Sequence, residues 1–173
     1  DAGKKADVGP MAAVAGAFSE EIGKVLLSRF EINELVVENG GDIYLKLKNN
    51  LLMSVFAGNS VLSEKIGIEI SAKETPIGVC TSAGTVGPSI SFGKADAVMV
   101  ACKNTAEADA FATALANQIK TPNDVQAVVE ASELNPEILS VVAICQDKIG
   151  IRSNFEMKLV APSLPSPKGK EIG

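Results

Sequence analysis

The alternation of side chains across residues 42–47 constrains the fold of this chain more than any other feature. Positions 43, 45 and 47 are Ile or Leu, whereas Tyr or Lys stands at positions 44, 46 and 48. That period is typical of a strand with one buried face. Asn49-Asn50 follows, and residues 51–57 form the next apolar run. The pattern predicts a β-hairpin with its tight turn at Asn49-Asn50 and its return strand at residues 51–57.

The remaining periodic segments mix short strands with separate helices. We predict further strands at residues 34–38, 65–71, 78–80 and 97–102, a second hairpin of residues 139–145 and 148–152, and helices at residues 11–30, 105–119 and 123–131. Thr105 is the predicted N-cap of the second helix. Hairpins combined with segregated helices predict an α+β fold with a mostly antiparallel sheet, and not a doubly wound parallel fold.

Length and composition are those of one globular domain. The 173 residues are 46% hydrophobic and 21% charged, which is enough apolar material for a core. We expect a single domain over residues 1–160 and a flexible tail containing Pro and Gly over residues 161–173. Because Asp1 directly precedes a helix rich in Gly and Ala, we also expect that an N-terminal portion is missing.

The absence of histidine excludes several kinds of chemistry. With no His in the chain, a Ser-His-Asp triad, a histidine proton shuttle and a histidine metal ligand are all excluded. A metal ion here would need oxygen ligands. The net charge of −5 disfavours nucleic acid as a partner.

Cysteine usage and hydropathy bear on the compartment. The three cysteines are Cys80, Cys102 and Cys145, and each lies in an apolar run. This pattern predicts reduced, buried thiols in a cytoplasmic protein. No apolar run is long enough to predict a membrane span. Because small apolar residues permit a tight interface, a homo-oligomer is also compatible with the sequence.

Two segments each place one carboxylate among residues too small to cover it. In the first, Asp42 follows Gly40-Gly41, where the backbone can turn sharply or a ligand can come close. In the second, Asp109 and Thr113 stand at i and i+4 of a helix among alanines. A carboxylate and a hydroxyl so placed can hold a hard cation such as Mg²⁺. Simpler roles also fit, because Gly-Gly-Asp is a common turn and an Asp near a helix start favours the helix dipole.

A third candidate segment covers residues 81–89 and is rich in glycine and hydroxyl residues. It begins with Thr81 and Ser82, and Gly84 follows. Backbone N–H groups in such a loop can bind phosphate, although the Gly-Lys-Ser/Thr ending of a P-loop is absent. Asp96 follows this loop, and we interpret it as a loop cap rather than as a site residue.

Together these segments resemble a known family. In order along the chain they are Gly40-Gly41-Asp42-Ile43-Tyr44, Thr81-Ser82-Ala83-Gly84 and Ala108-Asp109-Ala110-Phe111-Ala112-Thr113-Ala114. They resemble the GG-N/D-I-Y strand end, the T-S-G loop and the A-D-A-x-A-T-A helix of the ApbE-like superfamily. The likeness spans residues 7 to 119, and it is greatest to a branch distinct from the transferases themselves.

The resemblance implies an α+β fold that binds FAD or FMN with Mg²⁺. Members of the superfamily transfer FMN to a threonine of a partner protein or hydrolyse FAD. By motif match, Asp109 and Thr113 would be metal ligands, with a backbone carbonyl at Ala12 or Ala13. The implied pocket for the small-molecule nucleotide consists of Gly40, Gly41, Asp42, Tyr44, Thr81, Ser82 and Gly84.

The chain departs from the family pattern in two places. The histidine segment H-I-x-D-P-x-T-G should fall near residues 88–93, where this chain reads Pro-Ser-Ile-Ser-Phe-Gly. The helix lysine expected near Val14 is also absent. Two hypotheses follow. The first is a flavin-binding, Mg²⁺-dependent protein that transfers flavin or cleaves the FAD pyrophosphate. The alternative is a non-catalytic binding or assembly protein that keeps the fold.

Overall fold

Three stacked layers form the protein, which a computed structural model describes over residues 2–84 and 93–160. The helical layer contains α1 (Ala2–Lys5), α2 (Val14–Arg29), α3 (Thr105–Gln118) and α4 (Asp124–Ala131). The large sheet has the strand order β1 (Leu35–Asn39), β2 (Asp42–Lys46), β5 (Ile77–Ser82), β6 (Ala97–Cys102), β7 (Ile138–Cys145) and β8 (Lys148–Ser153). The small sheet has the order β3 (Leu51–Ser54), β4 (Ile66–Ile70) and β9 (Glu156–Leu159).

Every strand pair in both sheets is antiparallel. The predicted α+β class with a mostly antiparallel sheet is therefore confirmed. The second predicted hairpin is also present, because Cys145 pairs with Lys148 across the β7–β8 turn. Strand β9 was not predicted. The predicted tail at residues 161–173 and much of the loop at residues 81–89 lie outside the described residues.

The large sheet is buried on both faces because each face covers a different core. Along β6, Val98, Val100 and Cys102 belong to the core shared with α3 and α4. Ala97, Met99 and Ala101 belong to the core shared with the small sheet. All six residues of β6 are buried, as a continuous apolar run predicts. The fold is a sandwich with the large sheet in the middle.

The predicted hairpin at Asn49-Asn50 is wrong. Strand β2 pairs with β1 and β5, whereas β3 pairs with β4 in the other sheet. The chain therefore crosses between layers at Asn49-Asn50, and the Asn50 side chain accepts a hydrogen bond from the Ala72 N–H. Alternation identified β2 as a half-buried strand but carried no information about its partner. The actual tight turn is Gly40-Gly41, where φ is +66° and +100°, as a two-residue type I′ turn requires.

Two helix starts also differ from the prediction. The first segment begins with a 3₁₀ turn at Pro10–Ala13, and the α-helix starts only at Val14. The N-cap of α3 is Asn104 rather than Thr105, because the Asn104 side chain accepts the Glu107 N–H at 2.9 Å. Across residues 2–84 and 93–160, no helix has the length and apolarity that a membrane span requires.

Two glycines let the start of α3 pack closely against the backbones of β5 and α2. A Cβ atom at Gly78 of β5 would lie 2.7 Å from the Cβ of Thr105. A Cβ atom at Gly16 of α2 would lie 2.6 Å from the Thr105 carbonyl oxygen and 2.8 Å from the Asp109 Cβ. All three distances are shorter than van der Waals contact, so a side chain at either glycine would push α3 away. The start of α3 is therefore fixed by α2 and β5 together.

We expect Gly78→Ala to lower the free energy of unfolding by about 2 kcal/mol or more, because the added methyl group overpacks the contact with Thr105. Chemical denaturation of the purified protein measures this change. Gly9→Ala is the matched control, since nothing lies within 4 Å of a Cβ at Gly9. Equal stability of the two variants would show that α3 moves aside at no cost.

Candidate functional site

A cavity of about 510 Å³ lies at the edge of the large sheet, beside the β1–β2 turn. Helices α2 and α3 contribute to one side, and strands β3, β5 and β6 contribute to the other. The residues predicted from sequence that line it are Ala12, Gly40, Gly41, Asp42, Thr81, Ser82, Asp109 and Thr113. The fold thus brings together residues that are up to about a hundred positions apart in the chain.

Two predicted residues lie outside this cavity. Tyr44 is 4% exposed, and its ring packs against Gly23, where a Cβ would lie 2.5 Å from Cε1. Tyr44 lies under α2 because it is one strand period further along β2 than Asp42. Gly84 is held away from the cavity by its N–H, which donates to the Ala95 carbonyl at 2.8 Å. Among the described residues of that loop, the cavity lining ends at Ala83.

Asp42 is fixed through its backbone. Its carbonyl oxygen accepts a hydrogen bond from the Ser19 hydroxyl of α2 at 2.7 Å. In the sheet, Asp42 pairs with Asn39 of β1 and with Cys80 of β5. The Asp42 residue is 8% exposed, and it lines the cavity. Helix α2 therefore holds the start of β2 while the carboxylate remains in the cavity.

Asp109 is fixed through its side chain. Its Oδ2 accepts the Gly16 N–H at 2.9 Å, and the Ala15 N–H also stabilises the carboxylate. These amides belong to the first turn of α2, where unpaired N–H groups favour an anion. The sequence also allows Asp109 to favour the dipole of its own helix. The structure places the Asp109 carboxylate at the N-terminus of α2 instead, because Gly16 has no side chain and lets the two helices approach.

The negative charge of Asp109 adds to the cost of ionising Asp42 in a site largely shielded from water. Burial, and then the negative charge of Asp109, raises the pKa of Asp42 to about 7, while a hydrogen bond from Cys80 opposes the rise. Burial raises the pKa of Asp109 to about 6 against the opposing effect of the Gly16 and Ala15 amides. Desolvation and a like charge both disfavour the ionised form of a carboxyl group. The site therefore favours any ligand that brings positive charge.

The described lining of the cavity contains no lysine or arginine. Within residues 2–84 and 93–160, no group of three or more Cys, Asp or Glu side chains is arranged for a metal ion. A hard cation would therefore contact the carboxylates of Asp42 or Asp109, the Thr113 hydroxyl, and backbone oxygens of the lining. This oxygen donor set fits Mg²⁺, which is commonly held by one or two carboxylates together with waters and ligand phosphates.

The wall that faces the small sheet is apolar. Met53 and Phe56 come from the small-sheet side, and Val79 and Met99 come from the large sheet. Phe56 is 58% exposed, so its ring is available at the cavity mouth. One cavity thus combines an acidic end with an apolar wall. That combination suits a ligand with a flat ring system and a phosphate group bridged by a cation.

Sequence reasoning missed the residue that ties α2 to α3. Glu20 is buried, and its Oε2 accepts the Thr105 N–H at 2.7 Å. Its Oε1 pairs with Lys24 Nζ at 2.8 Å. A carboxylate at the start of α3 satisfies one of the free N–H groups of that helix. No sequence signal distinguishes Glu20 from the solvated Glu21 beside it.

Asp96 has the structural role that was predicted for it. Its Oδ2 accepts the Gln146 N–H at 2.6 Å, which supports the β7–β8 turn. The three cysteines are unpaired and buried, as predicted.

Comparisons with known proteins agree with this architecture. A family model described as AbpE bacteria matches residues 1–144. The UPF0280 protein of Methanocaldococcus jannaschii is 39% identical over 159 residues, which cover 89% of this chain and 64% of that protein. The UPF0280 protein of Methanobrevibacter smithii is 41% identical over 148 residues, which cover 83% and 62%. The chain thus spans somewhat under two-thirds of the length of these relatives.

Solved structures show the same fold. The flavin transferase ApbE from Vibrio cholerae superimposes with a TM-score of 0.53 and 19% sequence identity, over 81% of this chain and 48% of the transferase. A mutant of the same transferase gives a TM-score of 0.53 over 82% of this chain. At this identity the likeness establishes the arrangement of helices and strands.

The raised pKa values of Asp42 and Asp109 predict how stability depends on pH. Both groups bind more protons in the folded state than in the unfolded state between about pH 4 and 7. The stability that they contribute is therefore present below pH 4 and is lost as the pH rises through about 6 and 7.

In a chelating buffer, we expect the melting temperature of Asp42→Asn relative to the wild-type protein to be about 3 °C or more higher at pH 8 than at pH 4. The amide removes the charge that the folded state must bury at high pH. Calorimetric melting curves at both pH values measure the difference. A constant offset between the two proteins at all pH values would contradict a buried, ionising carboxyl group at this position.

Proposed function

Because the chain belongs to the ApbE-like family described as AbpE bacteria, we propose that its cavity binds a flavin nucleotide, FAD or FMN, together with Mg²⁺. The single observation that carries this proposal is the combination of two buried carboxylates with an apolar wall in one cavity. The flavin transferase with the same fold motivates the choice of nucleotide.

Asp109 and Thr113 would hold the Mg²⁺, with the Ala12 backbone carbonyl as a further oxygen ligand. They line the same cavity as Ala12, and α2 fixes the Asp109 carboxylate through the Gly16 N–H. When bound, Mg²⁺ would neutralise phosphate charge and polarise a phosphoryl oxygen. The protein residues supply the fixed position, since neither α2 nor α3 can shift without breaking the glycine contacts.

The nucleotide would lie along the β1–β2 turn. Gly40 and Gly41 leave the backbone open to a ligand, because a Cβ at Gly40 meets nothing within 4 Å and one at Gly41 meets only the Thr81 oxygen at 3.6 Å. Thr81 and Ser82 line the cavity, and their hydroxyl groups would donate to phosphate. The apolar wall with Met53 and Phe56 would cover the ring system. Flavin transfer or cleavage of the FAD pyrophosphate is the chemistry that we propose for this site.

A second candidate is a flavin-binding or assembly protein without catalysis. The observation that favours it is the complete absence of histidine from the chain, since the H-I-x-D-P-x-T-G segment of the superfamily, from which this chain departs, contains one. Under this proposal the cavity keeps its ligand and releases it unchanged.

Asp109→Asn tests the first proposal. We expect it to weaken Mg²⁺-dependent FAD binding by about tenfold or more, because loss of a metal ligand or its support has effects of this size. Isothermal titration calorimetry with FAD, with and without Mg²⁺, measures the change. Glu107→Gln is the matched control, since Glu107 is on the same helix but pairs with Lys5. An equal loss of FAD affinity in both variants, or no loss in Asp109→Asn, would contradict the assignment of Asp109 as a metal ligand.

Chromatography of the FAD titration mixture tests for pyrophosphate cleavage. Release of FMN and AMP in the presence of Mg²⁺ identifies this reaction. FAD that binds and is recovered intact after long incubation contradicts cleavage, and it leaves flavin transfer, which needs a threonine of a partner protein, and binding without catalysis.

A further inference from the structure

We infer that Asp42 is a second carboxylate ligand of the divalent cation, so that this cavity binds the cation through an Asp42–Asp109 pair before a nucleotide arrives. The inference deepens the proposed function and rests on it for the identity of the site. It changes the role of Asp42 from a nucleotide contact to a cation ligand.

The Asp42 carboxylate is buried, faces a cavity and has almost no partner. The residue is 8% exposed and lines the cavity together with Asp109. In the part of the chain that the structure describes, the Cys80 thiol is its single hydrogen-bonding neighbour. That thiol also lies 3.4 Å from the Thr105 carbonyl, to which it donates. A buried carboxylate with so little compensation is costly unless it is neutralised.

Comparison with other aspartates of the chain argues against a role as a turn cap. Asp96 accepts the Gln146 N–H at 2.6 Å, and Asp124 accepts the Thr121 N–H at 2.7 Å. The Asp42 carboxylate accepts no backbone N–H among the described residues, although it directly follows a tight turn. The two glycines and the strand pairing form that turn without it. The Asp42 side chain is thus left for the cavity.

The Asp42 backbone and the Asp109 carboxylate are both held before any ligand binds. The Ser19 hydroxyl fixes the Asp42 backbone from α2, and the Gly16 N–H of the same helix fixes the Asp109 side chain. The first two turns of α2 therefore position both groups. Groups that are already in place lose little conformational freedom when a cation binds, and this favours affinity.

Charge sets the order of binding. One carboxylate leaves a bound divalent cation with a net charge of about +1, which a nucleotide phosphate would have to compensate. Two carboxylates neutralise the cation within the protein. The cavity of this chain therefore forms a complete cation site without nucleotide, and we expect the cation to bind first.

Mn²⁺ binding in the absence of any nucleotide tests the inference. Mn²⁺ takes the same oxygen ligands as Mg²⁺, and the free ion is measured by electron paramagnetic resonance. We expect the wild-type protein to bind it, and Asp42→Asn and Asp109→Asn each to weaken binding about tenfold or more. Glu107→Gln is the control, because this carboxylate pairs with Lys5 and lies outside the described lining of the cavity, so it should leave the affinity unchanged.

The possible outcomes separate this inference from the proposed function. Unchanged Mn²⁺ affinity in Asp42→Asn, with weaker binding in Asp109→Asn, overturns the inference and leaves the proposed function standing. Failure of the wild-type protein to bind Mn²⁺ without nucleotide also overturns it. Mn²⁺ binding that depends on both aspartates, without any FAD binding in Mg²⁺, supports the inference and contradicts the proposed function. Asp42→Ser replaces Asp42→Asn if the latter does not fold.

Discussion

The close approach of α2, α3 and β5 is the constraint on which the rest of the structure depends. It is possible because Gly16 and Gly78 have no side chains where Thr105 and Asp109 lie. Glu20 then closes the contact by accepting the Thr105 N–H. This contact holds Asp109 against the amides of α2, and the same helix holds the backbone of Asp42. The acidic end of the cavity is thus a product of helix packing more than of any loop.

Local patterns in the sequence predicted most of the individual elements. An apolar run predicts β6, turn residues predict the β7–β8 hairpin, and helical spacing predicts the start of α3 to within one position. All three signals are local properties of the sequence. The pairing of β3 did not follow, because alternation marks a buried face without naming the strand beside it. The glycine pair Gly40-Gly41 was recognisable in the sequence as a turn. Which of the two turns, Gly40-Gly41 or Asn49-Asn50, connects a hairpin depends on the sheet that each strand joins, and the sequence does not show this.

Several of the residues selected from the sequence line one cavity, but the contacts that hold them in place were not predicted. Motif resemblance selected Asp42, Asp109 and Thr113, and the structure brings them to one cavity. Tyr44 belongs to the same motif yet lies under α2, because a motif does not state how far along the strand the cavity extends. The amides that hold Asp109 and the contact of Asp42 with Ser19 come from a helix elsewhere in the sequence. Such long-range contacts have no local signature.

The position of the cavity gives its occupant a mechanical role. Residues from the helical layer, the large sheet and the small sheet all contribute to its wall, so a molecule bound there bridges all three. A bound molecule can make these contacts only in the folded protein. Its binding therefore stabilises the folded state, by mass action, against opening of the layers. Local opening of the small sheet away from the large one would have to break that bridge. Amide hydrogen exchange in β3 would therefore become slower when a molecule is bound in the cavity, although the carboxylates that attract this molecule lie on the opposite face of the large sheet.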